Sequence, residues 1–310
     1  MTIENNKLLR IAEESAIAGG RHVKEKYFED SGLAIREKTK NDFVTNLDVE
    51  SEKIIRKIIK KELPNTKIIG EEEGEEDGGD GEIEWYVDPL DGTGAFIRGN
   101  LAFVSVSVSA VKRENKEILA GAVYNPFTEV LYSAMVTTKK IKAKSTASLK
   151  KARILLDISE DHPFNIREAL TPDNNDFGRI LRYDGSFAQH MCLLAKGTLD
   201  GGVFWGIGKK GNFWDLAASL LICQESGLIV TNLLGEEINF NDTYHDQLIV
   251  APESLHKELL EWVSKVRAEL MIDLNKKPSQ PTKESQTTKK TKVTKKRKAT
   301  KKKKKTSNKK

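Results

Sequence analysis

The chain has 310 residues, 38% of them hydrophobic, which is enough for one large or two modest domains. Its formal net charge of +5 is unevenly placed: residues 276–310 hold 17 basic residues and one acidic residue (+16), whereas residues 1–275 hold 34 basic and 45 acidic residues (−11). The first residues lack the apolar core of a signal peptide, and no apolar run approaches the ~20 residues of a membrane span. We therefore expect a soluble, cytoplasmic protein with an acidic body and no membrane association.

The first 62 residues predict two amphipathic helices. Small and apolar side chains recur at helical spacing between Leu8 and Tyr27. A second helix is expected over Asn46–Glu62, with isoleucines facing inward and Pro64 just beyond its end. A strand over residues 66–70 follows. Residues 71–84 contain nine acids and four glycines, so we expect most of them to form a solvated, mobile loop.

The remainder of residues 1–138 predicts a largely antiparallel sheet. Residues 101–111 alternate between valine or alanine and serine, which is typical of a strand. Further strands are expected over residues 118–124 and 130–136. These elements form the first of two predicted α/β halves, and the second covers residues 139–272. Its expected strands are 152–157, 201–205, 228–231 and 247–251, and its expected helices are 166–170, 187–196, 212–223 and 253–270.

Residues 273–310 predict a disordered, Lys-rich tail without aromatic residues for base stacking. A solvated run of charge is one interpretation. Nonspecific, salt-sensitive attraction to nucleic acid or another polyanion is the other.

The most informative motif is Asp88-Pro-Leu-Asp-Gly-Thr93, which directly follows the apolar end of a strand. Two carboxylates three residues apart across a rigid turn, Asp88 and Asp91, can converge on one point. The backbone N–H groups of Gly92 and Thr93 lie at an expected short helix start, where an oxyanion can bind. Mg²⁺ favours oxygen ligands and commonly bridges carboxylates to phosphate. An ordinary capped turn is the alternative for this motif taken alone.

Three further acidic motifs accompany it in the chain. They are Asp-Phe-Val-Thr-Asn-Leu-Asp48, Gly-Glu71-Glu and Trp-Asp215-Leu-Ala-Ala. Asp48 could merely cap a helix, and Asp215 could merely interact with a helix dipole. In this order, however, the four motifs resemble the inositol monophosphatase superfamily of Mg²⁺-dependent phosphatases. The resemblance spans about residues 8–265.

The resemblance implies a layered α-β-α-β-α sandwich, a homodimer and a Mg²⁺ site between the two halves. Asp48 and Thr93, with Glu71, would be the catalytic residues that position and activate the attacking water. Lys38 resembles a basic residue that the family often places near its phosphate. The implied metal ligands are Glu71, Asp88, Asp91, Asp215 and the carbonyl of Leu90, and the implied substrate contacts are Gly92, Thr93, Arg182, Ser186 and Asp215.

The resemblance is closest to the broad fructose-1,6-bisphosphatase/inositol-1-monophosphatase type. We therefore expect a phosphomonoesterase acting on inositol monophosphate, fructose 1,6-bisphosphate or both. The Phe-Ile-Arg-Gly stretch in residues 96–99 is similar to histidinol-phosphate phosphatases, and a 3′(2′),5′-bisphosphate nucleotidase is a further alternative. A different class is a nucleic-acid-associated scaffold acting through the basic tail.

Several other patterns predict no chemistry. Residues 206–211 match G-x-G-x-x-G, but the next strand ends at Asn232 without the acid that a dinucleotide site requires. This glycine loop more simply leads Asp215 into the site. Cys192 and Cys223 lie in apolar helical patterns and should be buried free thiols. The five histidines lack the spacing of metal ligands.

Overall fold

A computed structural model describes residues 2–29, 32–39, 42–137, 148–158, 178–205, 213–238 and 247–269. The helices are α1 (Thr2–Phe28), α2 (Asn46–Glu62), α3 (Thr93–Ile97), α4 (Phe187–Ala195), α5 (Phe213–Glu225) and α6 (Glu253–Glu269). The strands are β1 (Ile35–Thr39), β2 (Asp42–Thr45), β3 (Lys67–Gly70), β4 (Gly74–Glu76), β5 (Ile83–Asp91), β6 (Ser105–Lys112), β7 (Ile118–Asn125), β8 (Val130–Met135), β9 (Arg153–Ile158), β10 (Arg179–Leu181), β11 (Gly201–Trp205), β12 (Ile229–Asn232) and β13 (Gln247–Ala251).

The larger sheet has six strands in the order β4-β3-β5-β6-β7-β8, and all neighbours are antiparallel except β3 and β5. The helices α1 and α2 pack on one face, where Ile11, Ile55 and Trp85 are fully buried. The serines of β6 face the other way and are also fully buried. Their burial follows from α5, which packs against the same strands and keeps water from this second face.

The smaller sheet has five strands in the order β10-β9-β11-β13-β12. One core lies between the two sheets and includes Tyr86 of the larger sheet, Leu220 of α5 and Phe204 of the smaller sheet. On the outer face, Leu255 and Leu259 of α6 approach Gly201 within about 3.2 Å of where a Cβ would stand. The order of layers is therefore helices, sheet, helices, sheet, helix, which confirms the predicted α-β-α-β-α architecture.

The acidic segment after β3 is more ordered than predicted. We expected a mostly solvated loop over residues 71–84, but Gly74–Glu76 pairs with β3 as the edge strand β4. Glu84 lies in β5 and is buried. The expectation was wrong here because Arg56, Lys60 and Lys67 form ion pairs with Glu76 and Glu75 of this strand, so its charge is compensated.

Of the other predictions from the sequence, some agree with the structure and some lie outside the described residues. The strand bounds of β13 agree, and both cysteines are buried and free, as predicted. The hairpin β1–β2 was not foreseen. The predicted helix at 166–170, the glycine loop at 206–212 and the Lys-rich tail lie outside the described residues, and the division at residue 138 stays a prediction. Within the described part of the chain, no helix combines the length and apolarity needed to cross a membrane.

The burial of His190 in α4 leads us to predict an effect of pH on the stability of the fold. Neither ring nitrogen of His190 has a hydrogen-bond partner among the described residues, and the ring packs against Phe103 and Tyr183. Burial lowers the pKa of His190 to about 4, despite an opposing effect of Asp184. Because an unfolded histidine has a pKa near 6.5, the unfolded chain binds an extra proton between about pH 6.5 and pH 4.

Stability contributed by neutral His190 is therefore lost as pH falls through this window. We expect His190→Gln to show a smaller fall in Tm between pH 7.5 and pH 5 than the parent chain, by a difference corresponding to about 1–2 kcal/mol. Thermal unfolding at matched ionic strength measures it. His22→Gln is the control, since His22 is partly exposed and paired with Glu50. An equal pH dependence in the parent chain and His190→Gln would contradict the prediction.

Candidate active site

An irregularity in β5 brings two carboxylates to one face of the sheet. Asp88 pairs with Ser107 of β6 and Asp91 pairs with Ser105, so three steps along β5 match two steps along β6. Side chains three residues apart in a regular strand point to opposite faces, and one extra residue reverses this. Asp88 and Asp91 therefore share the face that α5 covers. Strand β5 continues through Asp91, beyond Val87, with which we expected it to end.

The parallel pairing of β3 with β5 places Glu71 beside Asp88. Gly70 is in register with Val87, and the backbone N–H of Glu71 donates to the carbonyl of Val87 at 3.1 Å. Asp215 reaches the same point from the first turn of α5. One carboxylate oxygen from each of Glu71, Asp88 and Asp215 lies within 4.8 Å of the others. Three acids that were separate motifs in the sequence thus form one cluster.

The electrostatics of this cluster favour a bound cation. Burial raises the pKa of Asp88 well above its ordinary value, and repulsion from Glu71, Asp91 and Asp215 raises it further. All the donors are hard carboxylate oxygens, which Mg²⁺ prefers. Oxygens held at about 2.1 Å from one Mg²⁺ lie at most about 4.2 Å apart, so the cluster is close to the size that this ion requires. The residues present therefore fit a divalent cation.

Asp91 is held by the beginning of α4, which belongs to the second half of the chain. Its Oδ2 accepts from the Ser186 hydroxyl at 2.6 Å and from the Ala188 backbone N–H at 2.8 Å, and its Oδ1 accepts from the Phe187 N–H at 3.3 Å. Burial raises the pKa of Asp91 to about 6, although these hydrogen bonds oppose the shift. The contacts fix the orientation of the carboxylate.

Asp48 and Thr93 form the predicted pair. The Thr93 hydroxyl lies 3.0 Å from Asp48 Oδ1 and 3.0 Å from the carbonyl oxygen of Leu90. Asp48 Oδ2 also accepts from the backbone N–H and the hydroxyl of Thr45, which completes a capping box at the start of α2. Asp48 thus caps α2, as the alternative interpretation of its motif predicted, and it also contacts Thr93. Burial raises the pKa of Asp48 to about 6.

The position of Gly92 admits only glycine. Its φ is +89°, in the left-handed region, and a Cβ there would lie 2.7 Å from the Ser186 nitrogen and 2.8 Å from the Phe103 carbonyl oxygen. The chain can therefore turn tightly from β5 into α3 and pass close to Ser186.

Two predicted substrate contacts are in different settings. Arg182 is exposed. Ser186 is fully buried, and its hydroxyl lies 2.7 Å from Ser105, donates to Asp91 and accepts from the Gln189 N–H at the cap of α4. These contacts favour a positioning role through Asp91 for Ser186 over the substrate contact that we expected. A direct contact of either residue with substrate stays a prediction.

Sequence reasoning missed Glu72. The Lys38 ammonium lies 2.5 Å from Glu72 and 3.0 Å from Glu71, so it connects β1 to the acidic cluster. Burial would lower the pKa of Lys38, but the hydrogen bonds and charges of Glu72 and Glu71 outweigh it and raise the pKa. For the carboxyl group of Glu72 burial acts in the opposite direction, and it raises the pKa of Glu72 to about 7 although Lys38 opposes the shift. The Gly-Glu-Glu motif was the available signal, because its second glutamate directly follows a predicted ligand.

Comparison with known proteins agrees with this geometry. The family model described as the inositol monophosphatase family matches residues 4–271. The chain is 34% identical over 267 residues to a fructose-1,6-bisphosphatase/inositol-1-monophosphatase of Aquifex aeolicus, covering 84% of this chain and 96% of that protein. It is also 30% identical over 272 residues to the Nus factor SuhB of Pasteurella multocida, covering 82% and 95%.

A solved structure shows the same fold. The extragenic suppressor protein suhB from Bartonella henselae superposes with a TM-score of 0.70 at 26% identity, over 81% of this chain and 96% of that one. The extent of these matches, together with the four ordered acidic motifs, establishes the relationship. The chain belongs to the inositol monophosphatase family.

Proposed function

We propose that the protein is a Mg²⁺-dependent phosphomonoesterase that hydrolyses a small phosphorylated metabolite. The supporting observation is the convergence of Glu71, Asp88 and Asp215 within 4.8 Å, with Asp91 on the same face of the sheet as Asp88. Asp88 is buried and is repelled by the other acids, so a protein without a cation there would lose stability by keeping them together. Glu71, Asp88, Asp91, Asp215 and the Leu90 carbonyl would hold the ions.

A divalent cation at this site would neutralise phosphate charge and make a bound water more acidic. Different residues of the chain would orient the cation ligands and bind the phosphate. The rigid turn from Asp88 to Thr93 orients the carboxylates, and the backbone N–H groups of Gly92 and Thr93 would donate to phosphate oxygens. Asp215, at the start of α5, closes the site from the opposite side. Such positioning is the main contribution of the protein in phosphoryl transfer.

Thr93 and Asp48 would orient the attacking water. When the Thr93 hydroxyl donates its proton to Asp48 Oδ1, its oxygen lone pairs become acceptors for a water hydrogen. Asp48, fixed through Oδ2 by Thr45, could then receive the proton at Oδ1 through Thr93. Glu71 offers a second carboxylate to the same water. The Thr93–Asp48 pair therefore accounts for proton removal without a histidine.

This role predicts a specific effect of removing one hydroxyl. We expect Thr93→Val to lower kcat at least about tenfold, because general-base assistance contributes about 10²–10⁴ and the variant keeps the cation ligands. Thr93→Ser, which restores the hydroxyl, should recover most of the activity. Steady-state phosphate release at saturating Mg²⁺ measures both. A kcat for Thr93→Val equal to that of the parent chain would remove the pair from the mechanism.

We propose inositol monophosphate, fructose 1,6-bisphosphate or both as substrates. The support is the resemblance of the motifs and the name of the Aquifex aeolicus relative. Histidinol phosphate and 3′-phosphoadenosine nucleotides remain the alternatives. A phosphate-release assay over these four substrate groups, with Mg²⁺ and with EDTA, tests both parts of the proposal. Release that is equal in EDTA, or absent for every group, would contradict it.

A nucleic-acid-associated role is the second candidate. It is motivated by the +16 charge of residues 276–310 and by relatives named Nus factor SuhB. The tail lies outside the described residues. A scaffold alone would have no use for converging, mutually repelling carboxylates, and this favours the phosphatase.

A further inference from the structure

Two oppositely charged side chains of α2 are withdrawn from solvent beside the acidic cluster. Glu52 is fully buried and Arg56 is 6% exposed. Arg56 lies one turn after Glu52 and contacts its Oε1 through Nε at 2.8 Å and through Nη2 at 2.7 Å. This spacing is that of an ordinary surface ion pair on a helix. The burial of both charges therefore requires another explanation.

The remaining contacts of the pair are with residues 72–76, which follow Glu71. Arg56 forms ion pairs with the side chains of Glu73 and Glu76, and the other contacts are with the backbone. Glu52 Oε2 accepts from the backbone N–H of Glu72 at 2.8 Å, and its Oε1 accepts from the N–H of Glu73 at 3.2 Å. Arg56 Nη2 donates to the carbonyl of Gly74 at 2.6 Å. The Glu52–Arg56 pair thus binds backbone groups of three successive residues, Glu72, Glu73 and Gly74, where the chain passes from β3 into β4.

The approach of Glu52 to this segment is close. A Cβ on Gly70 would lie 2.0 Å from Glu52 Oε1, so the carboxylate lies directly against the backbone that precedes Glu71. Glu71 is consequently bracketed: Glu52 contacts the chain on its amino side at Gly70 and binds the two N–H groups on its carboxyl side. The side chain of Glu71 is left to the cluster with Asp88 and Asp215.

Stability alone does not account for this arrangement. Desolvating two charges costs about as much as their attraction returns, and apolar side chains of similar size often stabilise a core as well or better. Apolar side chains could not bind the N–H groups of Glu72 and Glu73, however. Repulsion from Asp88 acts to push Glu71 out of the cluster, and a backbone anchored on both sides resists that movement.

We propose that Glu52, oriented by Arg56, is the positioning residue for Glu71 in the cation site. This rests on the proposed function, because it assumes that Glu71 binds the cation. Glu52 does not touch the cation or the substrate in this assignment. It acts through the peptide groups next to Glu71, and its loss should weaken cation binding more than it impairs catalysis once the cation is bound.

Mg²⁺ binding to the full chain tests the proposal without relying on activity. The Kd is measured by calorimetry and from the rise of Tm with Mg²⁺ concentration. Glu52→Gln keeps the shape but loses the charge and turns one acceptor into a donor. We expect its Kd for Mg²⁺ to rise at least about tenfold, the usual effect of removing a residue that supports a metal ligand. At saturating Mg²⁺ its kcat should return to within about threefold of the parent value.

Glu84→Gln is the matched control. Glu84 is also a buried glutamate in an ion pair, with Lys116 at 2.5 Å, and it accepts from the Tyr86 hydroxyl at 2.8 Å. Its hydrogen bonds do not involve residues 71–74. We expect Glu84→Gln to lower Tm in EDTA while leaving the Kd for Mg²⁺ unchanged. Equal losses of affinity in Glu52→Gln and Glu84→Gln would mean a general loss of packing and would overturn the proposal.

Gly70→Ala keeps both charges and carries the test if Glu52→Gln does not fold. The added methyl must displace the Glu52 carboxylate, so we expect a higher Kd for Mg²⁺ here as well. If the parent chain binds Mg²⁺ and either folded variant binds it equally well, Glu52 does not position Glu71. If the parent chain itself shows no Mg²⁺ binding, the proposed function fails, and this proposal fails with it. The parent measurement therefore separates the two.

Discussion

Asp88→Asn is expected to lower kcat at least about a hundredfold, because under the proposed function it removes a charge that would hold the cation and so stabilise the transition state. Asp88 is the buried centre of the cluster, repelled by Glu71, Asp91 and Asp215. An amide keeps the size of the side chain and can still accept from the Leu90 N–H that Asp88 Oδ1 binds at 2.9 Å. The fold should therefore survive while the activity does not.

Steady-state phosphate release on the best substrate at saturating Mg²⁺ checks this result. Asp200→Asn is the control of matched chemistry, because Asp200 is an acid in a hydrogen-bonded ion pair with Arg153 in the second half of the chain. It should keep nearly all of the activity. Turnover of folded Asp88→Asn near that of the parent chain would contradict the assignment of the cluster as a catalytic cation site.

The sequence predicted which acids would meet, but not why they do. The three-residue spacing of Asp88 and Asp91 suggested convergence across a turn. In the structure the decisive feature is the register with Ser107 and Ser105, in which one extra residue places both acids on the same face. Register depends on a partner strand that begins 14 residues after Asp91, and no local pattern contains it. The motif could thus be recognised in the sequence, whereas the positions of its two carboxylates depend on how β5 pairs with β6 in the sheet.

Burial was the property least accessible to sequence reasoning. The alternating serines of β6 predicted one polar face, yet Ser105, Ser107 and Ser109 are fully buried because α5 covers them. Similarly, Glu52 and Arg56 have the spacing of a solvent-exposed pair, and only the return of residues 72–74 against α2 buries them. Both results come from contacts between segments distant in the chain, which helical or strand periodicity cannot report.

The second large effect expected is on stability: Mg²⁺ should raise the Tm of the parent chain, and Asp88→Asn should raise the Tm measured in EDTA while abolishing the effect of Mg²⁺. Without a cation, the buried carboxylate of Asp88 is repelled by Glu71, Asp91 and Asp215, and a neutral amide at position 88 relieves part of that repulsion. A ligand that binds only the native state stabilises it by about 2.7 kcal/mol at a hundred times its Kd. For a folded body of this size, each kcal/mol corresponds to about 2–4 °C.

Thermal unfolding of the parent chain and of Asp88→Asn, each in EDTA and in millimolar Mg²⁺, gives the four measurements that test whether repulsion among the acids destabilises the cation-free protein. Ca²⁺-free buffer and added KCl at matched ionic strength separate specific binding from screening. Asp200→Asn should respond to Mg²⁺ as the parent chain does. A parent chain indifferent to Mg²⁺, or an Asp88→Asn variant less stable than the parent in EDTA, would contradict the idea. If both expected shifts in Tm are observed, the acids lower the stability of the cation-free protein. The fold would then tolerate this loss because the same charges would bind the ion on which the proposed activity depends.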